Sequence, residues 1–531
     1  MQKFRNRISD SISTSLALAF TFFVLIVILI NSLKISMSDF ETYYYSSIMG
    51  FDERFKLLIF QPVELCNYVK NVLEIKGFYA GFTHPPNICF YYYPFTLMDV
   101  FNAKLLNNLI SILLFIFSLK RLVLFYKIEA KYLVLLPIVF YFPFRSNIYF
   151  GQFYFILFFL LSESLLALEN KKYTLSSLML SLAIVTKVFP VFLILFLLIT
   201  HPIKVALKVI SFCTFFILIS IAIQGTSIWK LYLLDVFPRT NFGEIHASFS
   251  YYFQTFFLFF KMMFVYDELR NPLAIYDSYS MFLISVIIVK SAILVFAVNA
   301  TLRNKSHNLY NYGLWLLCSL LLLPNCNTYT MIFIIFALFF YLNKYQHHFI
   351  LVAFVFIIVF YISWVPAYKM MHMNYLLRYS KLIFMMLLFV VLIKTEGVHW
   401  SNKLSLLTIG FVILTTFNLF FKERYSPSKY VIVENKPELI SRLYLKNDLL
   451  YYAYWSPDGE IHCATEIKDT IKHASFVKLL NNQLYFNGKK ITSTKDLKLS
   501  PVFVNNEIYY LSDFNQGYGF YTIRKIERIS L

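Results

Sequence analysis

Long apolar runs alternate with short polar connections along this chain, and that alternation predicts its architecture. Leu16–Ile30, Phe153–Leu161, Phe189–Ile199, Phe349–Tyr361 and Leu407–Phe421 carry almost no charge. A water-soluble core cannot hide so many uninterrupted runs, whereas a bilayer requires them. The first run, about Ser13 to Leu33, is too long for a signal-peptide core and lacks a small-residue cleavage site. It reads as an anchor with the N-terminus in the cytoplasm. Further spans are predicted near 103–119, 132–144, 149–168, 205–224, 281–300, 312–324, 329–343, 349–365, 381–394 and 404–421. The run 174–199 has lysines on both flanks and holds Lys187 and Pro190 in its middle. A mid-bilayer charge is costly and an interior proline breaks the helical ladder. Both are relieved if this run is a hairpin of two short helices with Lys187 near its external tip. The hairpin brings the count to thirteen spans.

Two long connections, 34–102 and 225–280, then fall outside the cell, and so does everything after residue 424. The first contains short amphipathic stretches such as Tyr68–Ile75, suited to lying on a membrane surface. The second carries a very aromatic stretch, Phe249–Phe264, that can dip into the membrane. From Tyr425 the pattern changes to period two, with strands predicted at 448–455, 483–486, 507–511 and 521–524. Turn signals separate them: Pro457-Asp458-Gly459, Asn487-Gly488, Asn505-Asn506 and Gly517. Ser456-Pro457-Asp458-Gly459, and Leu511-Ser512-Asp513 before Gly517-Tyr518, resemble blade turns of TolB-like β-propellers, with too few strands to close a ring. The predicted fold is an all-α polytopic membrane domain (1–424, about 11 to 13 spans) followed by a small extracytoplasmic β-domain (425–531).

Composition agrees with this reading. Of 531 residues 59% are hydrophobic and only 15% charged, against about 25% charged in soluble domains. The net charge of +19 gathers in short clusters between the apolar runs, such as Lys120/Arg121/Lys127/Lys131 and Lys204/Lys208. That is the signature of cytoplasmic loops facing anionic membrane lipids, and it speaks against a nucleic-acid partner. The six cysteines have no metal-binding spacing, though Cys66 and Cys89 could form a disulfide in the first external loop.

No phosphate-cradling glycine loop, zinc spacing or nucleophile elbow is present. The informative residues are polar ones at membrane edges. Just after the first span come Asp39, Glu41 and Tyr43. A carboxylate beside aromatics at an external interface can act as general base toward a hydroxyl; Asp39 equally suits an ordinary helix cap.

The order of motifs adds to this. Asp39-Phe40 with Tyr43 follows the first span, and His84-Pro85-Pro86 and Tyr93-Pro94 close the first external loop. Gly151-Gln152 opens a later span, Lys187-Val188-Phe189-Pro190 sits in the hairpin, and Leu323-Pro324-Asn325 ends another span. This series, over roughly residues 10–420, resembles the GT-C glycosyltransferases of family 87. Members include mannosyltransferases that use polyprenyl-phosphate-linked sugars. The resemblance implies a plasma-membrane enzyme of cell-envelope glycan synthesis. It would transfer a hexose, mannose favoured, from a polyprenyl-phosphate donor to an external glycan or glycolipid acceptor, with inversion. Asp39 matches the family's catalytic base. Lys187 is the candidate cation for the leaving phosphate, with a snorkelling lysine as the plain alternative. Gln152 and Tyr43 are candidate donor contacts. His84 stands where the family has an aromatic residue, and it too is a candidate. Asn241, Glu244 and His246 match a donor-binding stretch loosely. The resemblance fixes no cofactor, and it leaves a divalent metal optional where cations stabilise the leaving group.

The chain departs from the family after Pro324, where relatives carry a Trp or His pair; here Asn325, Asn327 or Tyr329 must serve. Two other functions stay open on the sequence. A lipid-linked polysaccharide polymerase or ligase would use external arginines, which are few. A transporter would show an internal repeat, and none is visible.

Overall fold

The computed structural model describes residues 2–33, 38–75, 78, 81–241, 243–244, 249, 253–268, 270–364, 375–417, 428–431, 439–446, 449–456, 459–464, 477–504, 507–514 and 516–527. His246, Asp448, Pro457-Asp458 and Asn505-Asn506 lie outside the described residues.

The membrane part is helical. In chain order the helices are α1 (Gln2–Ser32), α2 (Ser38–Phe51), α3 (Pro62–Asn71), α4 (Ile88–Tyr92), α5 (Val100–Tyr126), α6 (Ala130–Val139), α7 (Tyr141–Phe150) and α8 (Tyr154–Glu169). They continue as α9 (Tyr173–Thr186), α10 (Phe192–Thr200), α11 (Ile203–Gln224), α12 (Thr226–Leu231), α13 (Phe237–Asn241), α14 (Phe256–Phe264) and α15 (Tyr279–Arg303). The last six are α16 (Asn308–Leu322), α17 (Ile334–Tyr345), α18 (Phe349–Trp364), α19 (Tyr375–Arg378), α20 (Ser380–Glu396) and α21 (Asn402–Phe417). Among the described residues, five stretches are long and apolar enough to cross a membrane: Ile12–Ser32, Val100–Tyr126, Ile203–Gln224, Tyr279–Arg303 and Thr328–Tyr345. The pair α6 and α7, bent by 57° where they meet, has the length and composition of a sixth broken span or of a re-entrant loop.

That bend corrects the expected straight span at 132–144. Pro143 has no N–H to give to Val139, and its ring crowds that carbonyl, so the ladder breaks at Phe140. The expected span 149–168 likewise begins only at Tyr154, after a left-handed turn at Gly151. The 174–199 run, in contrast, folds as two short helices, α9 and α10. Its two ends meet: the Tyr173 ring lies 6.1 Å from His201.

The connections at one end of the bundle are tied by polar contacts. Tyr126 donates to Glu169 at 2.8 Å, Tyr132 to the Gln346 carbonyl at 3.1 Å, and Lys344 to Glu396 at 2.7 Å. α16 is buried along its whole length and forms the centre of the bundle with α17. At the other end, α2 to α4 and α12 to α14 gather over the helix tips. The stretch Tyr68–Ile75 suits a helix along a membrane surface; helix α3 instead runs Pro62–Asn71 and packs against the strands of the tail, with Lys70 5.0 Å from the Trp455 ring. No disulfide joins Cys66 to Cys89; both thiols are buried, and Cys89 Sγ faces the Ser46 carbonyl at 3.9 Å.

The tail forms antiparallel strands: β1 (Lys429–Tyr430), β2 (Leu439–Lys446), β3 (Leu449–Ser456), β4 (Gly459–Ala464), β5 (Val477–Leu480), β6 (Gln483–Phe486), β7 (Lys489–Lys490), β8 (Lys498–Val504), β9 (Glu507–Ser512) and β10 (Thr522–Ile526). They make three sheets, ordered β1-β10-β9-β8, β2-β3-β4 and β5-β6-β7. Asn487 and Gly488 both take positive φ, the turn that matches strand twist in a tight hairpin between β6 and β7. The tail is clamped to the helical part. Asp513, fully buried, pairs with Arg239 at 2.7 Å, and the Arg239 guanidinium lies over the Tyr518 ring. Gly519 has φ +72°, and a Cβ there would meet the Gln61 Cα at 3.0 Å, so only glycine permits this approach.

Candidate functional site

Between α2, the hairpin α9–α10, α15, α21 and the tail lies a cavity of about 770 Å³. Asp39, Tyr43, His84, Gln152, Lys187, Asn241 and Asn325 all line it.

The sequence builds the polar end of this cavity from three distant segments. α2 opens with Asp39 in its first turn, where the exposed N–H groups of a helix favour negative charge. Tyr43 follows four residues on and shares its face. Gln152 is placed by the left-handed turn at Gly151, which ends α7 with φ +61°. A Cβ at Gly151 would lie 2.8 Å from the Phe40 Cβ. Glycine there lets the start of α2 press against the turn, and this brings Asp39 to Gln152. Lys187 ends α9 in an extended conformation, so its side chain leaves the helix and enters the cavity.

These groups form one hydrogen-bonded chain. Lys187 Nζ donates to Tyr43 Oη at 2.9 Å, Tyr43 Oη donates to Gln152 Oε1 at 3.2 Å, and Gln152 Nε2 donates to Asp39 Oδ2 at 2.6 Å. The direction of each bond fixes the next. The Gln152 amide must turn its NH₂ to the carboxylate because its carbonyl takes the tyrosine proton. His84 closes the group, with Nε2 3.0 Å from Tyr43 Oη and 3.2 Å from Lys187 Nζ. Burial, then the Lys187 ammonium, hold its imidazole well below the usual range, so it is uncharged at neutral pH. Tyr43 stacks on Tyr92 with centroids 4.7 Å apart, and burial pushes its phenol well above the usual value. Lys187 also faces the Tyr154 ring at 5.1 Å, and Tyr154 stacks on Tyr329.

The remaining candidates are more scattered. Asn325 and Asn241 reach the cavity wall away from this chain of bonds, and Asn327 donates to Tyr329 Oη at 2.6 Å. Glu41 is held apart from the group; burial raises its carboxyl to about 7 against the pull of Lys104. Among the described residues no three His, Cys, Asp or Glu side chains gather as a metal site. Sequence reasoning passed over Lys290, which lines the cavity from the middle of α15. A single charge inside an apolar run was the available signal.

Chemically, the cavity offers a carboxylate oriented by an amide, a cation held by neutral partners, and long apolar walls of Leu195, Leu294, Leu320 and Phe253. Comparison with known proteins bears on this arrangement. Residues 82–324 match the family model for Glycosyltransferase family 87, which includes His84, Gln152, Lys187 and Asn241 and begins after Asp39 and Tyr43. No curated protein matches the chain. The match covers less than half of the chain; over those residues it bears out the family resemblance read from the motifs, and it implies glycosyl transfer, while the apolar helices suggest a multi-pass membrane protein.

Proposed function

We propose that this membrane glycosyltransferase of family 87 takes a hexose, mannose favoured, from a polyprenyl-phosphate donor and passes it to an extracytoplasmic glycan or glycolipid. The observation that carries the reading is the hydrogen-bonded run from Lys187 through Tyr43 and Gln152 to Asp39, at the polar end of an apolar-walled cavity. A donor with a phosphate head and an isoprenoid tail fits a cavity that holds a cation at one place and hydrocarbon elsewhere.

Asp39 is the general base. An acceptor hydroxyl attacks the anomeric carbon from the face opposite the phosphate, and Asp39 takes its proton. The bond between the anomeric carbon and the phosphate oxygen breaks, and polyprenyl phosphate departs with the electron pair. One displacement inverts the anomeric centre. Lys187 stabilises the negative charge that grows on the departing phosphate, and uncharged His84 and Tyr43 keep that ammonium in place without neutralising it. Gln152 aims the Asp39 carboxylate. In this reading the enzyme sits in the plasma membrane, with the N-terminus cytoplasmic and the β-strand tail outside with the acceptor.

The deciding experiment is transfer from labelled polyprenyl-phosphate sugars in native membranes, comparing the native chain with Asp39→Asn. The asparagine keeps the shape and the hydrogen bond but is no base. Transfer should fall by about 10²- to 10⁴-fold at equal expression. Equal transfer by both proteins removes Asp39 from the mechanism, and absence of transfer from every polyprenyl-phosphate donor removes the donor class.

A further inference from the structure

The cavity has a second charged group, far along the chain from the first. Lys290 is the only charged residue in the middle of α15. A lysine at the centre of a spanning helix costs about 2.5–3.5 kcal/mol on insertion scales. Such a charge is normally matched inside the protein. Among the described residues Lys290 has no ion-pair partner, and its ammonium lies 5.7 Å from the centre of the Phe257 ring.

Lys290 shares the cavity with Lys187 and Asn325. Phe257 follows Thr255, whose hydroxyl donates to the Pro324 carbonyl at 3.3 Å, and Asn325 and Asn327 beyond it line the cavity. α21 gives the cavity wall Phe411, Val412, Thr415 and Thr416, and Phe411 both lines the cavity and is 49% exposed. Val191 of the neighbouring hairpin segment, 38% exposed, does the same. A ligand in this cavity therefore meets two lysines, Lys187 and Lys290, beside an apolar wall.

We propose that Lys290 binds the phosphate of the lipid-linked donor in this cavity, with the isoprenoid lying between α10, α15 and α21. This rests on the polyprenyl-phosphate reading above and adds to it a docking residue distinct from the leaving-group cation. The ligand chemistry is a phosphate ester with a long apolar chain. A free phosphate would satisfy the lysine but none of the leucine and phenylalanine wall.

The test is binding of sugar-free polyprenyl phosphate to the full chain in nanodiscs, for the native protein, Lys290→Met and Lys290→Arg, alongside the donor KM and kcat of each. Methionine suits a membrane helix better than lysine, so loss of folding is not the expected outcome. Lys290→Met should weaken binding and raise the donor KM by about 10- to 100-fold, with kcat within about threefold, and Lys290→Arg should recover most of the loss. Millimolar inorganic phosphate should not compete. Native-like binding by Lys290→Met overturns the proposal alone and leaves the donor class standing. Failure of the native chain to bind polyprenyl phosphate overturns the donor class and this docking role together. Displacement by inorganic phosphate overturns the lipid assignment.

Discussion

The cavity and the β-strand tail each bury a lysine, Lys187 and Lys498, and partner it differently. In the tail Lys498 is fully buried, donates to the Thr494 carbonyl at 2.8 Å and pairs with Asp496 at 2.9 Å. Burial raises the Asp496 carboxyl, but bonds from Ser512, Thr494 and Lys498 outweigh it and hold the group below its usual range. In the cavity, Lys187 has a phenol and an imidazole for neighbours, and Lys290 has a phenyl ring. A buried charge whose partners are complete holds a fold together. One surrounded by neutral groups keeps its field available, and that is the state a site for an anion requires.

This contrast can be broken by experiment. The largest effect is expected at Lys187: Lys187→Met should lower transfer by about 10²- to 10³-fold while leaving thermal stability unchanged or slightly raised. A fall in stability that matches the fall in activity would show that Lys187 is structural, like its counterpart in the tail. The mirror experiment is Lys498→Met, which strands the Asp496 carboxylate and should destabilise the tail by about 3–5 kcal/mol, read by limited proteolysis of the strands. Smaller again is Gly151→Ala. The strained φ and the contact with Phe40 should cost about 1–3 kcal/mol in melting experiments and displace Asp39 from Gln152, lowering kcat more than it raises KM.

The smallest effect concerns pH. Glu41 has a folded-state value of about 7, above its unfolded 4.5, so the folded protein binds this proton more tightly than the unfolded chain does. Its contribution to stability is present in full below about pH 4.5 and is lost as pH rises through 7. Glu41→Gln should flatten that part of the stability profile and leave transfer within about twofold. An unchanged profile would mean that the carboxyl is solvated.

Much of the fold could be read from particular residues. Lysines on both flanks of 174–199, with Lys187 and Pro190 inside, pointed to the α9–α10 pair because charge and proline leave few other solutions. Period-two alternation and Asn487-Gly488 pointed to the strands and to one tight turn. The bend between α6 and α7 was hidden, since Pro143 lies in a run whose hydropathy is indistinguishable from a straight span. The site was legible only as an order of motifs. Nothing in local spacing says that Asp39, Gln152 and Lys187 meet, because the contact depends on how α2 settles against the Gly151 turn. Lys290 was overlooked for the opposite reason: the window average that identifies a span also dilutes its single charge. The docking of the tail was not foreseen either, as Asp513 and Arg239 belong to segments with no shared pattern.

The way the tail closes on the helices has a consequence for biosynthesis. Leu439 and Phe520 both line the cavity that holds Asp39. Phe520 is made nearly a whole chain length after Asp39, a lag of roughly half a minute to a minute and a half at about 5–20 residues per second. Through that interval the nascent protein carries its carboxylate and its hairpin lysine in a vessel missing one wall. Enclosure of the cavity is therefore among the last events of maturation, and a ribosome that stalls before the final strands leaves a chain with the reactive groups in place and the chamber open.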